Sequence, residues 1–115
     1  MDYQEILRRL ALGDTSFLPD APSSWIGGAA AGGLDARSRA FARLGATVAV
    51  GANSAGYQDH VDAALAAGAT PGDIVGVLVA VIATVGLPKV VSAAPPLGLA
   101  VGYDVDGALE GLEGE

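Results

Sequence analysis

Tyr3, Ile6, Leu7 and Leu10 recur at helical spacing, with Arg8 and Arg9 off that face, which predicts a short amphipathic helix over 2–11. Residues 12–33 break the pattern with Gly13-Asp14, Pro19, Pro22, Gly27-Gly28 and Gly32-Gly33. Trp25 and Ile26 in that stretch predict one docked turn, with the rest running over the surface. Periodicity resumes after Asp35, a good N-cap residue, and predicts a helix from about 36 to 50 that ends at Gly51. Ser54 is expected to cap the next helix, which runs to Ala67 with Gly68 as the residue beyond its end. Thr70-Pro71-Gly72-Asp73 is the strongest local signal in the chain. It places a capping hydroxyl, a proline at the first helical position and an acid at the third, and opens a helix that closes at Gly86.

That helix is apolar on every side: Ile74, Val75, Val77, Leu78, Val79, Val81, Ile82 and Val85. Its valines also suit a buried strand, and periodicity cannot separate the two; length and caps decide for helix. A helix without a polar face must be covered all round, and a chain this short has few elements to do so. Burial between subunits is the economical solution, so self-association is expected. Lys89 is the only charge between Ile74 and Gly102, which raises a membrane reading. The first uninterrupted piece, Ile74 to Leu87, has only 14 residues, against the ~20 that span a bilayer. The second is interrupted by Pro95-Pro96 and several glycines. Two short halves fit buried core helices, not a transmembrane hairpin.

Composition sharpens this picture. The 115 residues allow one compact domain, and 51% hydrophobic against 17% charged residues excludes disorder for its body. Seventeen glycines, many alanines and few aromatics favour helices crossing at short distance over a β-sandwich. There is no cysteine, which removes disulfides, thiolate metal sites and thiol redox chemistry together. The net charge of −7 argues against nucleic acid and anionic membranes as partners. Much of it comes from Asp104, Asp106, Glu110, Glu113 and Glu115, so residues 1–103 form the expected domain and 104–115 a solvated, frayed acidic tail. The N-terminus is acidic and amphipathic, unlike a secretion signal, which points to the cytoplasm.

The stretch Leu34-Asp35-Ala36-Arg37-Ser38-Arg39, followed by an Ala-rich helix and by His60-Val61-Asp62-Ala63-Ala64-Leu65-Ala66-Ala67-Gly68-Ala69-Thr70-Pro71-Gly72-Asp73-Ile74, resembles the carboxymuconolactone decarboxylase family. Gly86-Leu87-Pro88 matches the Gly-hydrophobic-Pro that ends the family's apolar helix. The resemblance covers roughly residues 34–90. It implies an all-α bundle of the alkyl hydroperoxidase D-like type, assembled as trimers or hexamers. The peroxidase branch carries a Cys-x-x-Cys whose second Cys lies four residues before the His; those positions here are Asn53 and Gly56. Thiol peroxidase chemistry is thereby excluded. The Glu that usually follows the Arg of the family's first helix falls on Ala40, so of the family's reactive set only His60 remains.

His60 is the single histidine, and imidazole is the most useful general acid and base near neutral pH. Its helical neighbours Tyr57, Gly56, Ala63 and Ala64 are mostly small, leaving room for a ligand, with the Tyr57 hydroxyl in reach. The plain alternative is a surface or core-edge histidine beside Asp59 and Asp62. Arg39 and Arg43 stand four apart, and two guanidinium forks on one face suit a carboxylate. Their alternative is ion pairing with Asp35, Asp59 or Asp62. Asn53, in the loop before the His helix, joins Arg39, Arg43 and Tyr57 as a candidate substrate contact. No metal-ligand spacing is present. The function these residues imply is a cofactor-free lyase on a small carboxylated or lactone metabolite, with His60 moving the proton. The rival is a catalytically lapsed, oligomeric binding or scaffold protein of the same fold, favoured by Ala40 and the missing cysteines.

Overall fold

The computed structural model describes residues 2–18 and 33–113. Among them are six helices and no strand: α1 (Tyr3–Ala11), α2 (Ala36–Val50), α3 (Ser54–Ala66), α4 (Pro71–Val85), α5 (Leu87–Ala100) and α6 (Val105–Glu113). The docked turn expected at Trp25 and Ile26 lies outside the described residues. Helices α2 to α5 each touch the other three and form the bundle; α6 touches α5 alone, and α1 touches no other described helix. No described helix is long and apolar enough to cross a membrane.

Each bundle helix contributes a side chain to one shared core. Leu44, Val61, Ile74 and Leu97 are all at most 1% exposed, and Val48, Tyr57, Leu78 and Val90 pack around them. Burying each large aliphatic is worth about 1.5–3 kcal/mol, enough to outweigh weak amphipathicity in α2 and α3. Small residues set the spacing. A Cβ at Gly45 would come within 3.3 Å of Val81 Cγ1, so α2 and α4 cross closely there.

The caps follow the sequence closely. Asp35 receives the Ser38 N–H at 2.7 Å, and Gly51 closes α2 at φ 84°. Thr70 and Asp73 form a reciprocal capping box on α4, with Pro71 at its first position. Arg37 ties the start of α2 to the start of α4, its Nη2 lying 3.2 Å from Asp73 Oδ2, while its guanidinium stacks 5.8 Å from the Phe41 ring. The connection from α4 to α5 is the single residue Gly86, at φ 90°.

Three expectations change. The cap of α3 is Asn53, not Ser54: Asn53 has extended backbone angles and its Oδ1 accepts the Gly56 N–H at 2.9 Å, whereas Ser54 is already helical. Pro95 and Pro96 lie inside α5 without ending it. They deprive the Val91 and Ser92 carbonyls of helical donors, but both residues are exposed and water can take that place. The acidic tail is helical up to Glu113 and not simply frayed. The Asp104 carboxylate caps it through the Gly107 N–H at 2.9 Å, and Val105 packs over Gly98.

Candidate functional site

The buried edge of α3 is the row Tyr57, Val61 and Ala64, spaced four and three apart. His60 stands beside that row, one turn after Tyr57, and is half-buried. Its imidazole makes no hydrogen bond among the described residues. Asp62, a possible partner, instead accepts from Gln58 Nε2 at 2.8 Å. Ala40 is 5% exposed and belongs to the core, so the position onto which the resemblance puts the family's Glu is closed off within the bundle. An isolated carboxylate would be costly there.

The two arginines of α2 are both half-buried. Arg39 Nη1 donates to the Leu34 carbonyl, while its Nε is buried without an acceptor among the described residues. Among the described residues neither Arg39 nor Arg43 pairs with a carboxylate. The ion-pair role falls to Arg37 with Asp73, a partner that sequence spacing did not single out. Asn53 uses its Oδ1 to cap α3, which leaves only its amide NH2 group for a ligand.

Of the five candidate residues only Tyr57 lines a described cleft. That cleft, about 290 Å³, opens where the end of α2, the start of α3 and the start of α5 meet, and Val48, Gly51, Ala52, Pro88, Lys89 and Ser92 complete it. Tyr57 is 3% exposed, and burial pushes its phenol above its ordinary pKa, so the hydroxyl stays protonated. Among the described residues that hydroxyl has no hydrogen-bond acceptor. Lys89 and Ser92 are residues the sequence reading did not place in a site; the signal for Lys89 is its isolation as the only charge between Asp73 and Asp104. Two wider clefts flank α4. One is an apolar groove of about 560 Å³ shared with α5 and α6, and the other runs along α2 past Phe41 and Gly76.

A profile of the carboxymuconolactone decarboxylase family matches residues 19–97. No curated protein and no solved structure matches the chain. The matched span takes in α2, α3, α4 and all but the last turn of α5, which are the mutually packed helices, and it includes His60. With more than half its length covered, this cysteine-free chain belongs to the carboxymuconolactone decarboxylase family.

Proposed function

We propose that the protein is a decarboxylase-like lyase of the alkyl hydroperoxidase D-like fold. It acts in the cytoplasm, without a cofactor, on a small carboxylated or lactone metabolite. The observation that carries this reading is His60: it lies within the family-matched span, is half-buried and makes no hydrogen bond among the described residues. In the reaction the bond from substrate carbon to carboxylate breaks and carbon dioxide leaves. The electron pair passes into a conjugated carbonyl of the substrate, and His60 delivers the proton to the carbon. Arg39 and Arg43, free of carboxylate partners, supply positive charge on the neighbouring helix.

The chain works as a trimer or hexamer, because α4 leaves Val75 and Val79 46% and 65% exposed and needs a cover. A second reading, an inactive oligomeric binding or scaffold protein, is favoured by the sealed Ala40 and by the lack of a described cleft at His60. The substitution His60→Asn separates the two. Turnover of a lactone or carboxylate found by ligand screening should be abolished, with stability changed by less than about 1 kcal/mol, as for a residue outside the core. Unchanged turnover would remove the proton-transfer role. Unfolding by more than about 3 kcal/mol would make His60 a structural hub instead.

A further inference from the structure

Two apolar surfaces of the chain are left without a cover. On α1, Tyr3, Leu7 and Leu10 recur at spacings of four and three, so they form one stripe, and each is more than half exposed. An isolated helix of nine residues is marginal in water, so this stripe needs a surface to pack on. Yet α1 touches no other described helix. The bundle helices have at most 15 residues, about 22 Å of length, while the molecule extends 59 Å along its longest axis. Helix α1 therefore stands clear of the bundle as an arm. The second surface is the groove of about 560 Å³ between α4, α5 and α6, walled by Val75, Leu78, Ala94, Val101, Tyr103 and Val105. No charged side chain lines it. Along its α6 side, exposed Asp104 and Asp106 alternate with Tyr103 and Val105.

We propose that α1 of a second copy of this chain lies in the groove between α4, α5 and α6, with its apolar stripe inward. Charge singles out this occupant. Residues 104–113 carry the acids Asp104, Asp106, Glu110 and Glu113 and no base. Arg8 and Arg9 stand in the last turn of α1, beside the stripe, and share a single carboxylate, Glu5, so that turn keeps a surplus of positive charge. The acidic rim attracts this helix, whereas it repels a second α6 and gains nothing from α4, whose only charge is Asp73. The connection over 12–35 is long enough to deliver the arm, extending at about 3.3 Å per residue. It would also let α1 fold back on its own groove, a contact that α1 does not make. Passing the arm from each copy to the next fills every groove, and three copies close the exchange into a ring. The exchange goes beyond the lyase reading and needs no chemistry at His60. It rests on the self-association proposed with that reading, and gives it an arm and a receiving surface.

Because the chain has no cysteine, single introduced cysteines report the contact directly. Leu7→Cys and Tyr103→Cys, both at exposed positions, are mixed as full chains, left to exchange subunits and treated with a short bismaleimide. Linked pairs joining 7 to 103 should outnumber those joining 7 to 7 or 103 to 103. With both substitutions in one chain, the links should run between chains and build a covalent ladder. A link closed within one chain, seen as a monomer of altered migration, would give the groove to the chain's own α1 and overturn the exchange. Absence of any link from 7 to 103 would overturn the contact itself. Independently, Leu7→Glu combined with Leu10→Glu should raise the concentration at which the assembly dissociates in light scattering by about tenfold, as for the loss of a packed interface anchor. An assembly that this pair leaves unchanged would overturn the exchange, with the lyase reading and its oligomer still standing. A wild-type monomer would overturn the exchange and the oligomer together, while turnover in His60→Asn tests the lyase chemistry separately.

Discussion

At the scale of single residues, Asp73 joins more of the molecule than its exposed position suggests. Its carboxylate accepts the Thr70 N–H at 3.0 Å, its own N–H donates to Thr70 Oγ1 at 3.0 Å, and Arg37 reaches it from α2. The Thr70 contacts first, and Arg37 after them, hold this carboxyl below the usual carboxylate range. Asp35 is lowered in the same way, chiefly by the Ser38 N–H it accepts. A carboxyl whose folded pKa lies below its unfolded one adds stability above the unfolded value, and that stability is lost as the pH falls through the folded one. Thermal melts should therefore hold steady down to about pH 5 and decline below about pH 4, with a shallower decline in Asp73→Asn. At neutral pH, Thr70→Ala should cost about 1 kcal/mol through the lost cap. These capping partners were legible because N-cap chemistry is local: Asp35, Thr70, Pro71 and Asp73 each act within one turn. The Arg37 contact was not, since it spans 36 positions and depends on how closely α2 and α4 pack.

Among elements, α6 shows where sequence reading fell short. Its acids promised a solvated tail, and Asp104, Asp106 and Glu110 are indeed exposed, but Val105 and Ala108 are half-buried and α6 packs on α5. The signal lay on the partner helix, in a glycine. At Gly98 an added Cβ would stand 2.8 Å from the Tyr103 carbonyl oxygen and 2.9 Å from Val105 Cγ2. The Tyr103 N–H also donates to the Gly98 carbonyl at 2.8 Å, so the chain folds back tightly over this point. Gly98→Ala should displace α6 and cost about 1–3 kcal/mol, the range for overpacking a fitted contact. Helix content by circular dichroism should fall by an amount corresponding to α6, while α2 to α5 keep their amide protection. An α6 that stays docked in Gly98→Ala would mean that this contact is looser than its distances indicate. Pro95 and Pro96 misdirect in the opposite sense. They read as a break, yet the burial of Ala93, Leu97 and Gly98 carries the helix through them.

For the molecule as a whole, exposed area is the informative quantity. The chain presents 7103 Å², whereas a compact monomer of its mass would present about 5,700 Å². Its radius of gyration is 16.4 Å, against about 13 Å for a compact chain of this length. On the bundle helices Val75, Val79, Leu87, Val91 and Leu99 stay exposed, apolar surface of the kind a partner subunit covers. Light scattering at micromolar concentration should give three or six times 11.3 kDa, and Val79→Lys should shift it downward. A monodisperse species of 11.3 kDa would remove the assembly from the proposal. The all-round apolarity of the helix at 71–85 is what raises the expectation of assembly from the sequence. Which faces stay open was not visible, because that depends on how α2 and α5 share the covering. The joints of the bundle are equally short: residues 51–53, 67–70 and the lone Gly86. Most binding sites diversify through insertions in the loops around them. Here the α5 side of the Tyr57 cleft follows directly on Gly86, a single residue at a φ that side-chain-bearing residues rarely adopt, so that side has no loop to lengthen. Across descendants of this chain, the lining can change by replacing Lys89, Ser92 or Ala52, but the frame that presents them is inherited intact.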